Sequence, residues 1–538
     1  MSESHTQNHT VSKDNVADSY DEVPYNSYPY PETHPNKLSS TAILFGMTPP
    51  PINCCRVLEL GCGSGNNLIG MASELPDSAF TGVDLSKSEV ALANAKIKGV
   101  GLKNIKITQM SITDIKKDFG KFDYIIAHGV YSWVPANVRE HILCICRDNL
   151  AKNGVAYISY NTYPGWHAHE MLRNMMLYHI KDIKDPIAST QKARKFIKFL
   201  AESSKDETPY ITFIKNEVER TKNLPDYYLY HDQLSEYNQP FYFYEFAKDI
   251  ERHKLKYLRE CDIQVSTSRN FSPELANLLN NMGDDIVAIE QHIDFFLDRT
   301  FRETMICHHD AKLNRLINKE DIVNLYFIST LHPKNSTTSL SPEVEESFTS
   351  KKCPEITTSD TVSKTLWVFL AMNIPKPLHV DTIHSGVVGL LKDSITNMSM
   401  LPSESELKDL VLTNLLWGIS MGFILTYTWP GNVTLTISDK PVASALARYD
   451  AERGNHVINE LHEIINIDNI SHHILPLLDG SNDIESIIEK LLELAGDDKI
   501  NIKKDEKPIT DRDQLRPILK AQTEIILREF ARTGILIG

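Results

Sequence analysis

The chain is expected to fold as an α/β protein: a parallel, doubly wound sheet with helical inserts, then a mainly helical middle unit and a winged-helix-like C-terminal unit. Three observations predict this. Apolar strand-like runs alternate with helical patterns over residues 56–160, and such alternation builds a parallel sheet with helices on both faces. The first strand runs straight into a Gly-x-Gly-x-Gly turn, Arg56-Val57-Leu58-Glu59-Leu60-Gly61-Cys62-Gly63-Ser64-Gly65-Asn66-Asn67. At 538 residues the chain is too long for a single core.

The elements follow in chain order. Residues 1–18 are polar and lack the apolar centre of a signal peptide, and about 1–15 of them are expected to be disordered. Residues 20–31 interleave tyrosines with prolines. Proline opposes helix and favours extended chain, and so many aromatics need a surface to cover, so either a lid over a ligand cleft or an arm packed on the domain surface is expected. Strand one is 57–60, followed by a helix with Leu68, Met71, Ala72 and Leu75 on one face. Strand two is 80–83, followed by a helix carrying Val90, Leu92, Ala93 and Ile97. Strand three is 105–110 and strand four 122–127. A helix with Ile142, Leu143, Ile145 and Leu150 then leads through Gly154 to strand five, 155–160.

Further on, helices are expected from about 169 to 225, forming an insert over about 170–225, and again at 241–252. Residues 254–261 and 301–308 read as sixth and seventh strands, which sets a first domain at 1–310. A middle domain, 311–435, begins with 313–331. It crosses 335–360, whose Ser, Thr and Pro content is that of a linker. It continues with helical patterns at 366–370, 387–391 and 410–419. Residues 427–437, around Trp429-Pro430-Gly431-Asn432, read as a hairpin. The remainder, 436–538, alternates helices with a short terminal strand and is read as winged-helix-like.

Composition excludes several classes. The 56 basic and 71 acidic residues leave a formal charge of −15. That argues against nucleic-acid binding, which needs clustered Lys and Arg, and permits a basic partner. No apolar run approaches the roughly 20 residues of a membrane span. The eight cysteines form no Cys-x-x-Cys pair, so neither zinc nor a dithiol site is expected. Reduced thiols in a cytoplasmic protein are the simplest reading. The pairs His308-His309 and His472-His473 project apart, and no metal is expected.

The glycine turn carries the chemistry. It lets backbone approach a ligand closely, and the helix beyond it offers unpaired amides. Phe80-Thr81-Gly82-Val83-Asp84-Leu85 ends a second strand in an acid. Its distance of about 20 residues from the turn suits a ribose diol. A dinucleotide site usually carries Gly-x-Gly-x-x-Gly, whereas here Glu59 precedes Gly-x-Gly-x-Gly. An acid there repels a pyrophosphate but holds an ammonium, so the pattern favours S-adenosylmethionine over NAD.

In an open parallel sheet, ligands bind beyond the carboxyl ends of the strands. Glu59, Gly61, Cys62, Gly63, Gly65 and Asn66 are therefore expected around the methionine part, with the glycine amides facing it. Asp84 and Leu85 are expected at the ribose, with Met110 and Ile112 sandwiching the adenine. Ser111 stands where an acid is more usual. His128 and Gly129 follow strand four, and Tyr28 comes from the arm. The loops 128–135 and 160–167 are dense in aromatics, whose faces attract cations. Tyr131 and Tyr160 are expected to position an amine, with Trp133 and Trp166 beside it. The reaction would be in-line displacement at a methyl carbon, in which positioning supplies most of the rate. A lysine nucleophile must lose its proton from a reference pKa of about 10.4, and desolvation by aromatics assists.

The run from Leu58 to Gly65 with Val83-Asp84-Leu85-Ser86 resembles the class I (Rossmann-like) S-adenosylmethionine-dependent methyltransferases. Other stretches narrow the likeness: Tyr25-Asn26-Ser27-Tyr28-Pro29-Tyr30-Pro31, His128-Gly129-Val130-Tyr131-Ser132-Trp133-Val134, Ser159-Tyr160-Asn161-Thr162-Tyr163-Pro164-Gly165-Trp166, Tyr230-His231-Asp232, Phe241-Tyr242-Phe243-Tyr244-Glu245-Phe246, Asp294-Phe295-Phe296 and Arg299-Thr300-Phe301-Arg302. Together they resemble bacterial methyltransferases with a methyltransferase regulatory domain, in particular the rickettsial protein-lysine methyltransferases that modify outer membrane protein B. The resemblance implies several lysine methylations on an unfolded or nascent protein, S-adenosylhomocysteine as product, and a homodimer. The alternatives are a small-molecule methyltransferase and a cofactor-sensing adaptor without catalysis.

Overall fold

The computed structural model describes residues 23, 27–203, 207–266, 271–335, 337–394, 402–497, 499–500, 502–504, 507–509 and 511–538. The expected disordered start and residues 20–22 and 24–26 of the tyrosine-proline arm lie outside the described residues.

The centre is a seven-stranded sheet. Its strands are β1 (Arg56–Leu60), β2 (Ala79–Asp84), β3 (Ile105–Gln109), β4 (Phe122–Ala127), β5 (Leu150–Asn161), β6 (Leu255–Glu260) and β7 (Phe301–His308). Their order is β3-β2-β1-β4-β5-β7-β6. The pairs among β1 to β5 are parallel, and β7 runs antiparallel to both β5 and β6. Every residue of β4 is buried, as a strand covered on both faces requires. Its one charge, Asp123, accepts from the Arg56 amide at 2.8 Å. The order reverses between β1 and β4, so the loops after these strands diverge and open the crevice where such sheets bind ligands.

Two apolar cores fill the two sheet faces. The helices Trp166–Ile180, Pro186–Ser203, Pro209–Thr221 and Asp226–Gln233 form the insert. Leu172, Met176, Ala193 and Ile197 make its own small core. In the middle unit, helices Thr361–Met372, Val380–Ser394 and Glu404–Met421 pack on a three-stranded sheet around Phe327, Trp367 and Phe423. The C-terminal unit packs helices Ala445–Ala451, Ile484–Gly496 and Arg512–Arg532 around a core that includes Leu491 and Leu519. Among the described residues no helix is long and apolar enough to cross a membrane.

Two expectations need correction. The stretch 335–360 is not plain linker, because strands Glu346–Thr349 and Ile356–Thr358 pair within it. Glu346 and Phe348 are buried in alternation, a short signal hidden in polar composition. Residues 427–437 form no hairpin. Tyr427 ends strand Ile424–Tyr427, which runs antiparallel to Tyr326–Ser329. The backbone beyond it is taken by one side chain: Thr428 and Trp429 amides donate to Asn36 Oδ1 at 2.6 and 3.1 Å, and Asn36 Nδ2 donates to the Trp429 carbonyl at 2.9 Å.

Candidate active site

The glycine turn is tight because its glycines have left-handed backbone, with φ of 71° at Gly61, 52° at Gly63 and 73° at Gly65. A β-carbon on Gly65 would lie 2.4 Å from Ile107 Cδ1, and one on Gly61 2.7 Å from Val130 Cγ2. The turn is pinned from within. Gly61 and Cys62 amides donate to the Val83 carbonyl at 2.9 and 3.2 Å, and the Gly65 amide to the Cys62 carbonyl at 2.9 Å. The Gly63 amide donates to Asp84 Oδ2 at 2.7 Å, while Asp84 Oδ1 accepts from the Ser86 amide at 2.9 Å. The three glycine amides expected to face a methionine group are thus engaged inside the protein, because the turn must satisfy its own backbone.

Glu59 is buried at the end of β1, where Oε1 accepts from Asn67 Nδ2 at 2.8 Å. Its other oxygen, Oε2, is buried and has no hydrogen-bond partner among the described residues. Burial raises this carboxyl to about 8, against the Asn67 bond and with the Asp84 charge adding. An orphaned acceptor beside the turn fits an amino-acid ammonium, which is what S-adenosylmethionine brings. Asp84 and Leu85 are half-exposed at the end of β2, and Met110, Ser111 and Ile112 are half-exposed beyond β3. The Ser111 hydroxyl caps the following turn, 3.4 Å from the Thr113 amide and 2.9 Å from Thr113 Oγ1. Cys62 is buried and its thiol is held well above its ordinary value, which makes it inert.

The described part of the arm crosses this turn. Asn66 donates twice to Ser27, from its amide at 3.2 Å and from Nδ2 at 2.8 Å. The Tyr30 amide donates to Asn67 Oδ1 at 2.9 Å, and the Tyr30 ring stacks on His128 with centroids 3.8 Å apart. Tyr28 bonds the Tyr227 hydroxyl at 2.8 Å, tying the arm to the insert. The C-terminal unit reaches in as well, with His462 Nε2 lying 2.7 Å from Asn67 Oδ1.

Beyond β4, His128 is half-buried and Gly129 exposed. The Gly129 amide donates to Ser159 Oγ at 2.8 Å. His128 Nδ1 lies 2.8 Å from the Tyr157 hydroxyl, which donates to Glu303 Oε1 at 3.0 Å. Tyr131 and Tyr160 lie away from this cleft, in the core below it. Tyr131 is 1 % exposed and packs on Phe241 and Phe246, each at 5.5 Å. Tyr160 is 0 % exposed and stacks on Phe246 at 4.3 Å, its hydroxyl 3.3 Å from Thr304 Oγ1. The reason is strand alternation: Tyr160 falls on the apolar face that packs against helix Phe243–Arg252. Trp166 is buried beside His169, at 5.4 Å. Trp133 is half-buried, and its Nε1 is buried with no hydrogen-bond partner among the described residues.

The sequence reading missed Asn67, Ser27, Tyr157, Glu303 and His462. The Asn66-Asn67 doublet at a helix start was a legible signal; the contact with His462, 395 residues away, had none.

Comparison with known proteins fits this geometry. Residues 58–156 match a methyltransferase domain, residues 225–308 a predicted methyltransferase regulatory domain, and residues 439–535 the PKMT C-terminal winged helix domain. The chain is 35 % identical to Rickettsia prowazekii protein RP789, over 96 % of this chain and 93 % of that one. It is 38 % identical to RP028 of the same organism, over 45 % of this chain and 97 % of that one. Among solved structures it is similar to PKMT2 from Rickettsia typhi in complex with AdoHcy, with a TM-score of 0.86 and 29 % identity over 96 % of this chain and 100 % of that one. The glycine turn, the orphaned Glu59 oxygen and this end-to-end likeness together show an S-adenosylmethionine-dependent enzyme, and the chain belongs to the bacterial class I protein-lysine methyltransferase (PKMT) family with a methyltransferase regulatory domain.

Proposed function

We propose that this protein transfers methyl groups from S-adenosylmethionine to lysine side chains of a protein, with outer membrane protein B as its acceptor. The observation that carries the reading is the correspondence to PKMT2 along the whole chain, winged-helix domain included. When bound, the cofactor supplies an electrophilic methyl carbon on a sulfonium. The residues of this chain do the rest. Glu59 holds the ammonium, Asp84 with Leu85 takes the ribose, and Met110, Ser111 and Ile112 border the adenine. Gly61, Cys62, Gly63, Gly65 and Asn66 shape the floor. Tyr28 and Tyr30 cover the cleft, which excludes water.

The acceptor amine enters beside His128 and Gly129, with the half-buried Trp133 indole nearby. Tyr131, Tyr160 and Trp166 act from below, as packing that fixes the loops after β4 and β5. The domains run 1–310, 311–435 and 436–538. The enzyme works as a homodimer in the cytoplasm, a setting supported by eight free cysteine thiols. The test is incubation of outer membrane protein B fragments with labelled cofactor, read by mass spectrometry. Mono-, di- or trimethyllysine is the expected product. Label found only in small molecules refutes the reading.

A further inference from the structure

A lysine ammonium must lose a proton before its nitrogen can attack, and the cleft needs somewhere to send it. Among the described residues one hydrogen-bonded chain leads away from the place where an amine would stand. It starts at His128, the first residue beyond β4, whose ring lies under Tyr30 with centroids 3.8 Å apart. It continues through the Tyr157 hydroxyl, 2.8 Å from His128 Nδ1, and ends at Glu303 Oε1, 3.0 Å farther on.

With Glu303 ionised, the directions of these bonds fix the tautomer. Tyr157 is fully buried and has one proton. It donates that proton to the Glu303 carboxylate, so its oxygen must accept from His128 Nδ1–H. The neutral imidazole then carries its bare lone pair on Nε2, the nitrogen without a hydrogen bond among the described residues.

We propose that His128 is a catalytic residue that takes the acceptor lysine's proton at Nε2, and that Tyr157 and Glu303 act through it as a relay; this rests on the lysine reading above. The balance is closed. The ammonium N–H breaks and Nε2–H forms, Nδ1–H passes to the Tyr157 oxygen, and the Tyr157 proton passes to Glu303. The histidine ends neutral in its other tautomer, the tyrosine ends neutral, Glu303 ends protonated, and the lysine nitrogen keeps the lone pair that attacks the methyl carbon.

Two features support the relay over histidine alone. Desolvation pushes the His128 imidazolium down to about 3, so the ring cannot store the proton and must pass it on. Glu303 is raised to about 7, by burial first and then by Glu32, with Glu260 and Asp262 adding and the Tyr157 bond opposing. A terminal acceptor close to working pH both takes and returns a proton efficiently. Glu303 is half-exposed, which lets it discharge to solvent. Its backbone amide donates to Glu260 Oε2 at 3.0 Å, which ties this point of β7 to β6.

The experiment has two arms. In the first, nitrogen NMR of histidine-labelled protein with S-adenosylhomocysteine, recorded well above pH 7 so that Glu303 is ionised, should show His128 protonated at Nδ1 and bare at Nε2, and Tyr157→Phe should abolish that preference. A His128 protonated at Nε2 overturns the relay whatever the substrate proves to be. The second arm is single-turnover methylation of a lysine-bearing protein against pH. The wild type should show an acid limb near 7. Glu303→Gln and Tyr157→Phe should lose the limb and fall about 100-fold at neutral pH, with Glu303→Asp restoring part of both. Unchanged S-adenosylhomocysteine affinity certifies the fold of each variant. Variants that keep the wild-type rate and limb overturn the relay. A wild type that leaves lysines unmodified instead refutes the lysine reading, and the tautomer then decides the hydrogen-bonded chain alone.

Discussion

The Gly63 amide donates to the Asp84 carboxylate across 2.7 Å, so the acid that ends β2 is also the strut of the turn that follows β1. Asp84→Ala removes the proposed ribose acceptor and releases the turn in one step. The expected loss is about 1.5–3 kcal/mol of S-adenosylhomocysteine binding, roughly 10- to 150-fold in Kd. Titration calorimetry measures it; an unchanged affinity removes the ribose role.

Glu59 should couple cofactor binding to protons. Its folded-state value is raised to about 8, so in the free protein it holds a proton at pH 7. An ammonium placed at its empty oxygen favours the carboxylate and lowers that value, which releases the proton. Binding should therefore release up to about one proton at neutral pH and tighten as pH rises toward 8. Calorimetry in two buffers of different ionisation heat reads the release, and Glu59→Gln should abolish it.

Gly65→Ala must fit a β-carbon 2.4 Å from Ile107 Cδ1 on backbone at φ 73°. Overpacking and left-handed strain together should cost about 2–4 kcal/mol. Thermal melting should show the loss before any activity assay is attempted.

Arg302 is fully buried with three carboxylates: Nη1 to Glu260 at 2.6 Å, Nη2 to Asp294 at 2.8 Å and to Glu290 at 3.2 Å. The guanidinium also lies 3.9 Å from the Phe243 ring. Arg302→Met leaves those charges in low dielectric and should cost about 3–5 kcal/mol. Chemical denaturation tests this; a variant as stable as wild type means that Arg259, 3.3 Å from Glu290, and Arg299, 3.2 Å from Asp294, suffice to compensate the cluster.

His462→Ala deletes a bond to Asn67 from another unit of the chain. One net hydrogen bond of about 1 kcal/mol predicts roughly fivefold weaker cofactor binding. An affinity equal to wild type would confine His462 to packing.

The strands 57–60, 80–83 and 122–127 were legible because both faces of this sheet are covered, which leaves near-continuous apolar runs. Glu59 and Asp84 stood out for the opposite reason, as acids ending apolar strands. Tyr131 and Tyr160 misled because an aromatic after a strand reads the same whether it faces the cleft or the core; only the placement of Phe241 and Phe246 decides. Glu303 was invisible, since β7 joins β5 by antiparallel pairing across the 139 residues between Asn161 and Phe301, and no spacing rule reaches so far. The same holds for Asn36, whose bonds to Thr428 and Trp429 displaced an expected hairpin.

The bond between Asn67 and His462 has a temporal meaning. A ribosome delivers the sheet long before His462, yet Asn67, at the start of the helix beside the glycine turn, takes one of its side-chain bonds from that later residue. A molecule whose translation has not yet passed His462 therefore carries its glycine turn without that bond, and gains it only when the later unit folds against the sheet.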